Sequence, residues 1–298
     1  MNASEKRNDH SKISPTAKIT AYWRSLTDIP YSKEIEEAVD AERTAKEMLG
    51  ERITTMGSLS PTIFEVRYKS INAGIKRVGT SNVMELASGL SPRGLEIASS
   101  GGIYVGTDLP DMHAESSAII KRIAARDCVP IASLHLQAAN VLDKQELEDA
   151  AAYFNGERFV VCNEGLLMYL DREEKARMAK ILHGILLKSG GCWMTTDIVF
   201  RIIRESIATL FGPQAKEAIR PALKKIMDQT GRDILANDFD DKSKALRFYE
   251  DLGFVVEEFP MYGGDYVLST AARLRDSFRD RFLDILSSAT VWIMTPKQ

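Results

Sequence analysis

The amino-acid sequence predicts an α/β fold: a doubly wound sheet of seven strands, with a helical cap before it and a helical insertion within it. Seven short apolar runs, many of them β-branched, follow residue 81, and helical stretches separate most of them. Strands that alternate with helices of this length indicate a parallel sheet covered on both faces, whose strands are near-continuous apolar runs. The 298 residues, 44% of them hydrophobic, can bury such a core in one large domain or two.

The N-terminal part of the chain is predicted to be helical. Residues 1–12 are polar and mixed in charge, which is typical of a disordered tail. Residues 13–80 contain no convincing strand and are interrupted by Pro30, Gly57 and Pro61. The stretch from Lys33 to Leu49 carries apolar residues at helical spacing among many charges, which predicts one amphipathic surface helix. We therefore expect residues 13–80 to form an N-terminal helical cap.

Residues 81–298 are predicted to form the main domain. The predicted strands are Val83–Ala87, Ile103–Thr107, a run from about Val129 to Leu136, Phe159–Cys162, Cys192–Thr196, Phe254–Val256 and Ala289–Met294. The predicted helices are Asp111–Arg126, Lys144–Phe154, Arg172–Leu187, Lys244–Leu252 and Ala272–Leu286. Gly190 and Gly191 make a helix stop. A helical insertion at 199–237 is expected to cover the carboxyl ends of the strands, where open α/β sheets bind ligands.

The composition disfavours several classes of function. A net charge of -3 is a poor match for a general nucleic-acid binder, which needs a basic face. No segment approaches the roughly 20 apolar residues that span a bilayer. The three cysteines and four histidines are scattered, without metal-ligand spacing. We expect no nucleic-acid partner, no membrane span, no metal and a cytoplasmic location, and the composition leaves the oligomeric state open.

A loop of small residues follows the first predicted strand. Residues 85–94 read ELASGLSPRG, a strand that opens into a turn and then a helix. Small residues let the backbone approach a ligand, and a helix N-terminus offers free N–H groups. Only Gly89 stands at the turn, so the dinucleotide fingerprint is absent, which argues against NAD(P). An ordinary strand–helix turn is the alternative interpretation.

An acidic residue ends the second predicted strand. Asp108 lies 19 residues after Gly89, where a carboxylate can accept hydrogen bonds from ribose hydroxyls. The alternative role is the N-cap of the next helix, for which Asp111 is the better candidate. Asp108 is therefore predicted to face a ligand.

Polar residues also follow the fourth predicted strand. Asn163 and Glu164 stand where a buried strand ends, a position that faces the ligand crevice of a doubly wound sheet. The apolar residues after them include Tyr169, whose hydroxyl needs a partner if it is buried. A structural role for Tyr169 is the alternative.

The motif at 164–170, EGLLMYL, resembles a signature of the leucine carboxyl methyltransferase family and its bacterial O-methyltransferase relatives. Further segments resemble family motifs in the same order: ISPTA at 13–17, VRY at 66–68, ELASGLSPR at 85–93 and TDLP at 107–110. The resemblance covers most of the chain, from about residue 13 to the final strand. It implies a Rossmann-like class I methyltransferase fold that uses S-adenosyl-L-methionine (SAM) and releases S-adenosyl-L-homocysteine (SAH).

The resemblance also implies a set of site residues. Arg67 would pair with the carboxylate of the cofactor's methionine half, Asp108 would hold the ribose, Asn140 would lie near the adenine and Glu164 near the methionine end. Tyr169 would face the methyl acceptor. The cofactor-binding set implied in this way is Arg67, Glu85, Ala87, Ser88, Gly89, Asp108, Leu109, Asn140, Val141, Asn163, Glu164 and Gly165.

The sequence does not identify the methyl acceptor. A carboxylate needs no general base whereas a hydroxyl does, and no histidine is obviously placed for that role, so a carboxylate on a small molecule or peptide is slightly favoured. Ser91-Pro92 replaces the aspartate–threonine of the family's loop, which keeps a catalytically silent SAM-binding protein as an alternative. An NAD(P)-dependent oxidoreductase is the third possibility.

Overall fold

A seven-stranded sheet forms the centre of the molecule, with the strand order β3-β2-β1-β4-β5-β7-β6. The computed structural model describes residues 14–57, 59–198, 224, 227–228, 231–234, 237, 239–263, 265–274 and 276–298. The strands are β1 (Val83–Leu86), β2 (Tyr104–Asp108), β3 (Leu134–Ala138), β4 (Val160–Asn163), β5 (Cys192–Thr195), β6 (Phe254–Pro260) and β7 (Thr290–Pro296). Strands β1 to β5 are parallel, and β7 runs antiparallel to both β5 and β6. The predicted fold class is confirmed.

Helices precede the sheet and cover its faces. Those that precede β1, in the predicted cap region, are α1 (Ser14–Ser25), α2 (Ser32–Val39), α3 (Ala41–Leu49), α4 (Arg52–Met56) and α5 (Ser60–Val78). Those that follow β1 are α6 (Arg93–Ser99), α7 (Pro110–Arg126), α8 (Lys144–Ala151), α9 (Arg172–Ser189), α10 (Lys242–Asp251) and α11 (Asp276–Ser288). Every residue of β1, β4 and β5 is buried, as expected for strands covered on both faces.

Two predicted elements are wrong in detail. The third strand was expected at about Val129 to Leu136, but β3 begins at Leu134, after a 3₁₀ turn at Ile131–Ser133. The predicted helix from Lys33 to Leu49 is two helices, because Asp40 adopts a left-handed conformation with a φ of 50°. An aspartate tolerates this conformation better than most residues, so no glycine or proline marks the break.

The ends of helices α5 and α9 correspond to local sequence signals. Pro61 occupies the first turn of α5, where its missing N–H costs nothing. Asp171 and Glu174 form a capping box at the start of α9, and Gly190 ends that helix in a left-handed conformation with a φ of 70°. Helix α9 therefore covers one face of the sheet over its predicted length.

The strand order reverses between β1 and β4, which pair side by side with β2 on the other flank of β1. In a doubly wound sheet, ligands bind in the crevice at the carboxyl ends of the strands beside such a switch point. The fold therefore brings the loops after β1, β2 and β4 to one place.

Two predicted segments lie wholly or mostly outside the described residues. These are the tail at 1–12 and most of the insertion at 199–237, of which the structure describes only Lys224, Met227, Asp228, 231–234 and Asn237. Within the described part of the chain, no helix combines the length and apolarity that crossing a membrane requires. The described histidines, cysteines and acidic residues include no cluster suited to a metal ion.

Candidate functional site

A cavity of about 420 Å³ lies where the predicted site residues converge. Its volume falls within the roughly 300–1,000 Å³ of small-molecule sites. One side, here called the sheet wall, comprises Glu85, Ala87, Ser88, Gly89, Leu90, Asp108, Leu109, Ala139, Asn140, Val141, Leu142, Glu164, Gly165, Leu166, Met168, Tyr169 and Leu170. The other side, the cap wall, comprises Thr16, Ala17, Ile19, Thr20, Trp23, Arg24, Leu49, Met56, Phe64 and Arg67. Met112 and Arg232 complete the lining.

The loop after β1 turns sharply into the cavity. Ala87 and Gly89 adopt positive φ angles of 48° and 54°, which only glycine takes without strain. Ser91 stabilises the turn: its N–H donates to the Ser88 carbonyl at 2.9 Å, and its hydroxyl accepts from the Arg93 N–H at 3.3 Å. The Ser91-Pro92 sequence therefore supports a tight turn before α6.

Asp108 holds the second strand's end against this loop. Its Oδ2 accepts from the Gly89 N–H at 2.7 Å, and its Oδ1 accepts from the Leu109 N–H at 2.8 Å. Burial raises the pKa of Asp108 to about 6, although both backbone donors act to lower it. The prediction that Asp111 caps α7 is wrong, because Leu109 occupies the N-cap and no side chain caps that end. Each Asp108 oxygen retains a second lone pair for a ligand hydroxyl.

Two buried carboxylates of the sheet wall share one arginine. The Arg93 guanidinium is fully buried and pairs with Glu85 and, at 2.5 Å, with Glu164. Glu85 also accepts from the Tyr104 hydroxyl at 2.6 Å. The Tyr68 ring faces the same guanidinium, with its centroid 4.4 Å from Cζ. Arg93 therefore fixes the first and fourth strand ends relative to each other.

Glu164 is surrounded by positive charge. The Arg24 guanidinium of α1 donates to Glu164 Oε2 at 3.2 Å, opposite the bond from Arg93. Burial tends to raise the pKa of Glu164, but Arg24, Arg93 and Arg67 lower it to about 2. Glu164 therefore carries its negative charge at any physiological pH. Nε of Arg24 is buried and has no hydrogen-bond partner among the described residues.

Arg67 reaches the cavity from α5. Its Nη2 donates to Asp197 Oδ1 at 2.8 Å, its Nε lies 3.5 Å from the Thr196 hydroxyl, and its side chain is 21% exposed. The Phe64 ring centroid lies 5.9 Å from the guanidinium carbon. The structure thus places Arg67 on the cavity wall with an acidic partner, and its pairing with a cofactor carboxylate stays a prediction.

The segment after β3 supplies Asn140 and Val141. Asn140 Oδ1 accepts from the Leu142 N–H at 2.9 Å, and the Asn140 N–H donates to Glu146 at 2.5 Å. These bonds hold the backbone in a turn at the cavity wall. The side-chain amide nitrogen of Asn140 makes no hydrogen bond with the described residues and can donate to a ligand.

Asn163 does not lie among the described residues that line the cavity, unlike the rest of the predicted cofactor set. It is fully buried, donates to Thr195 and Asp197 at 3.0 and 2.7 Å, and accepts from the Trp193 indole at 2.7 Å. With its amide groups engaged in this way, Asn163 supports the wall from behind.

Tyr169 lies at the junction of the two walls. Its hydroxyl donates to the Thr16 hydroxyl of α1 at 3.4 Å, and burial raises its pKa above the ordinary value. Its phenol therefore remains protonated near neutral pH. No histidine, cysteine or lysine is among the described residues that line the cavity.

Sequence reasoning missed Arg24, Arg93 and Asp197. Arg93 lies in the loop that was singled out, and a lone arginine beside small buried residues is the one signal that could have drawn attention to it. Arg24 and Asp197 belong to other segments, and Arg24 meets Glu164 across 140 residues of sequence. No local pattern marks such contacts.

No protein-family model and no curated protein matches the sequence, so the resemblance to leucine carboxyl methyltransferases is not supported by those comparisons. Solved structures with a similar chain path include magnesium protoporphyrin IX methyltransferase from Synechocystis PCC 6803 with bound SAH. That similarity has 11% identity over 99% of this chain and 100% of that chain, with a TM-score of 0.47.

Two further solved structures resemble the chain at similar levels. Human N-acetylserotonin methyltransferase in complex with SAM is 10% identical over 95% of this chain and 71% of that chain, with a TM-score of 0.43. A TehB-like SAM-dependent methyltransferase from Corynebacterium glutamicum is 11% identical over 78% of this chain and 87% of that chain, with a TM-score of 0.41. The fold class itself rests on the strand order and pairing described above.

Proposed function

We propose that this protein is a SAM-dependent methyltransferase that binds the cofactor against the sheet wall. The observation that carries the proposal is the convergence on one cavity of the small-residue loop after β1, Asp108 at the end of β2 and Glu164 after β4. Asp108 is bonded to Gly89 in that loop, so the two parts of the site are held together. This arrangement suits an adenosine ligand.

The charges of the sheet wall, together with Arg67 of the cap wall, match the two ends of SAM. Asp108 would accept from the ribose hydroxyls, and Asn140 and Val141 would contact the adenine. At the other end, Glu164 would attract the ammonium group and Arg67 the carboxylate of the methionine half. A zwitterion needs one anion and one cation, and both line this cavity. A dinucleotide would instead need a glycine-rich turn for its pyrophosphate, which the sequence lacks.

We propose an oxygen atom as the methyl acceptor, on a small molecule or a peptide. An oxygen lone pair would attack the methyl carbon, and the electrons of the breaking C–S bond would pass to sulfur, leaving neutral SAH. The sulfonium is already an activated leaving group, so the protein contributes mainly proximity and alignment. A carboxylate is favoured over a hydroxyl because a hydroxyl must lose a proton, no histidine or lysine is among the described lining residues, and the three lining carboxylates are assigned to the cofactor or paired with Arg93.

Calorimetric titration of the purified protein with SAM, SAH, NADH and NADPH in parallel tests the cofactor. We expect micromolar binding of SAM and SAH and none of the dinucleotides. Absence of binding by both sulfur compounds would refute the proposal, and binding of a dinucleotide would favour the oxidoreductase.

A panel of carboxylic acids and phenols incubated with SAM tests the acceptor, with methyl transfer detected by mass spectrometry. Mild base distinguishes the products, because it hydrolyses a methyl ester and leaves a methyl ether intact. SAM binding without transfer to any acceptor would favour the silent binding protein.

A further inference from the structure

The carboxylate of Asp197 joins segments that build the site although it is not among the described residues that line the cavity. Asp197 lies two residues beyond the end of β5, and its side chain is 4% exposed. Its Oδ1 accepts from Arg67 Nη2 at 2.8 Å and from the Gly165 N–H at 2.7 Å. One oxygen therefore fixes a side chain of α5 and the backbone after β4 relative to each other.

The second oxygen of Asp197 holds the rest of the same turn. Its Oδ2 accepts from the Leu166 N–H at 2.8 Å, the Leu167 N–H at 3.1 Å and the Asn163 side-chain amide at 2.7 Å. The turn that follows Glu164 thus receives an anion at its free N–H groups, where a negative charge is most stabilising. Five hydrogen bonds converge on one buried carboxylate.

The contact with Asp197 uses only one edge of the Arg67 guanidinium. Nε and Nη2 form that edge, facing Thr196 and Asp197. The other edge is formed by Nη1 and the second N–H of Nη2. Nη1 makes no hydrogen bond with the described residues. A planar guanidinium can bind two carboxylates at once, one on each edge, whereas an ammonium group acts as a point charge.

We propose that Asp197 is a positioning residue for cofactor binding. It holds Arg67 with its Nη1 edge directed to the methionine carboxylate of SAM, and it fixes the turn that presents Glu164 to the ammonium group. This role rests on the proposed function, since it assigns the partner of Arg67 in the SAM-bound protein. Asp197 also pairs with the Arg67 cation, whereas Arg24 and Arg93 pair with the Glu164 anion.

The test is a double-mutant cycle read as the Kd for SAM. Asp197→Asn and Arg67→Ala are each expected to raise the Kd by about tenfold or more. The double variant is expected to lose less affinity than the product of the two single losses, because both variants act through Arg67; any loss beyond that of Arg67→Ala reports the turn that carries Glu164. Asp241→Asn is the control, because Asp241 caps α10 through the Lys244 N–H. Additive effects, or an unchanged Kd in Asp197→Asn, would overturn the proposal.

A second variant decides the matter if Asp197→Asn does not fold. Arg67→Lys keeps the charge, but its single ammonium group would be held by Asp197, so it is expected to bind SAM almost as weakly as Arg67→Ala. Wild-type affinity in Arg67→Lys would show that Asp197 does not set the geometry of residue 67. Absence of SAM binding by the wild-type protein would refute the proposed function and this role together, whereas wild-type binding with unaffected variants would refute this role alone.

Discussion

The two walls of the cavity differ in how their side chains are held. On the sheet wall, each of the three carboxylates has fixed partners: Glu85 and Glu164 share Arg93, and Asp108 accepts from two backbone N–H groups. The cap wall is mainly apolar, and its charged members, Arg24 and Arg67, direct their guanidinium groups to acidic residues.

This difference predicts that the two walls contact different molecules, or different parts of them. Fixed polar atoms recognise a ligand of fixed structure, and the sheet wall therefore suits the cofactor. An apolar surface selects by shape and area, and the apolar part of the cap wall therefore suits the variable part of an acceptor. The predictions below test whether the two walls act separately, from the largest expected effect to the smallest.

Of the changes that test the sheet wall, removal of Arg93 should lower the free energy of unfolding most. Arg93→Met leaves Glu85 and part of the Glu164 charge buried without compensation, so the free energy of unfolding should fall by about 3–5 kcal/mol in chemical denaturation. Arg126→Met is the matched control, because Arg126 makes only exposed ion pairs with Glu34 and Asp127 and should show no measurable change. Equal effects of the two variants would contradict the role given to Arg93.

Neutralising Asp108 should weaken cofactor binding more than it destabilises the fold. Asp108→Asn removes a charged acceptor for the ribose, and hydrogen bonds to charged groups contribute enough that the Kd for SAM should rise about 10–100-fold. Calorimetry against Asp111→Asn, an exposed acid three residues away, supplies the control. If both variants bind SAM as the wild type does, the ribose lies elsewhere.

The same residue predicts a pH dependence. Burial raises the pKa of Asp108 from 3.8 to about 6, and ribose hydroxyls donate to the ionised carboxylate, so SAM binding should favour the deprotonated form. Affinity should therefore fall as the pH drops through 6, by about tenfold between pH 7 and pH 5. Titrations across this range with Asp108→Asn should show a flat profile. A wild-type profile that is equally flat would exclude ionisation of Asp108 as the cause.

The accuracy of sequence reasoning also differed between local and distant features. Strands β1, β2, β4 and β5 were predicted to within one residue at each end, because buried strands are continuous apolar runs between turn residues. Strand β3 was misplaced because it forms the edge of the sheet: only Leu134 is buried in it, so its sequence lacks that run.

The candidate site shows the same difference between local and distant features. The loop after β1 and Asp108 could be predicted because short motifs place them at strand ends. Arg93, which meets Glu164 across 71 residues, and Asp197, which meets Arg67 across 130, could not, since tertiary packing alone creates those pairs. Sequence patterns thus identified residues that line the cavity better than those that hold them in place.

The smallest effect on cofactor binding is expected from the apolar residues of the cap wall. Met56 lines the cavity at the end of α4 and is partly exposed, so Met56→Ala should cost only about 1 kcal/mol in unfolding free energy and leave the Kd for SAM within about twofold. Calorimetry and thermal unfolding measure the two quantities on one preparation. Because an alanine enlarges the apolar side of the cavity, the KM of an acceptor identified in the panel should rise while the KM of SAM stays constant. A tenfold loss of SAM affinity would mean instead that the cofactor also contacts the apolar part of the cap wall, and that the acceptor must enter from another side.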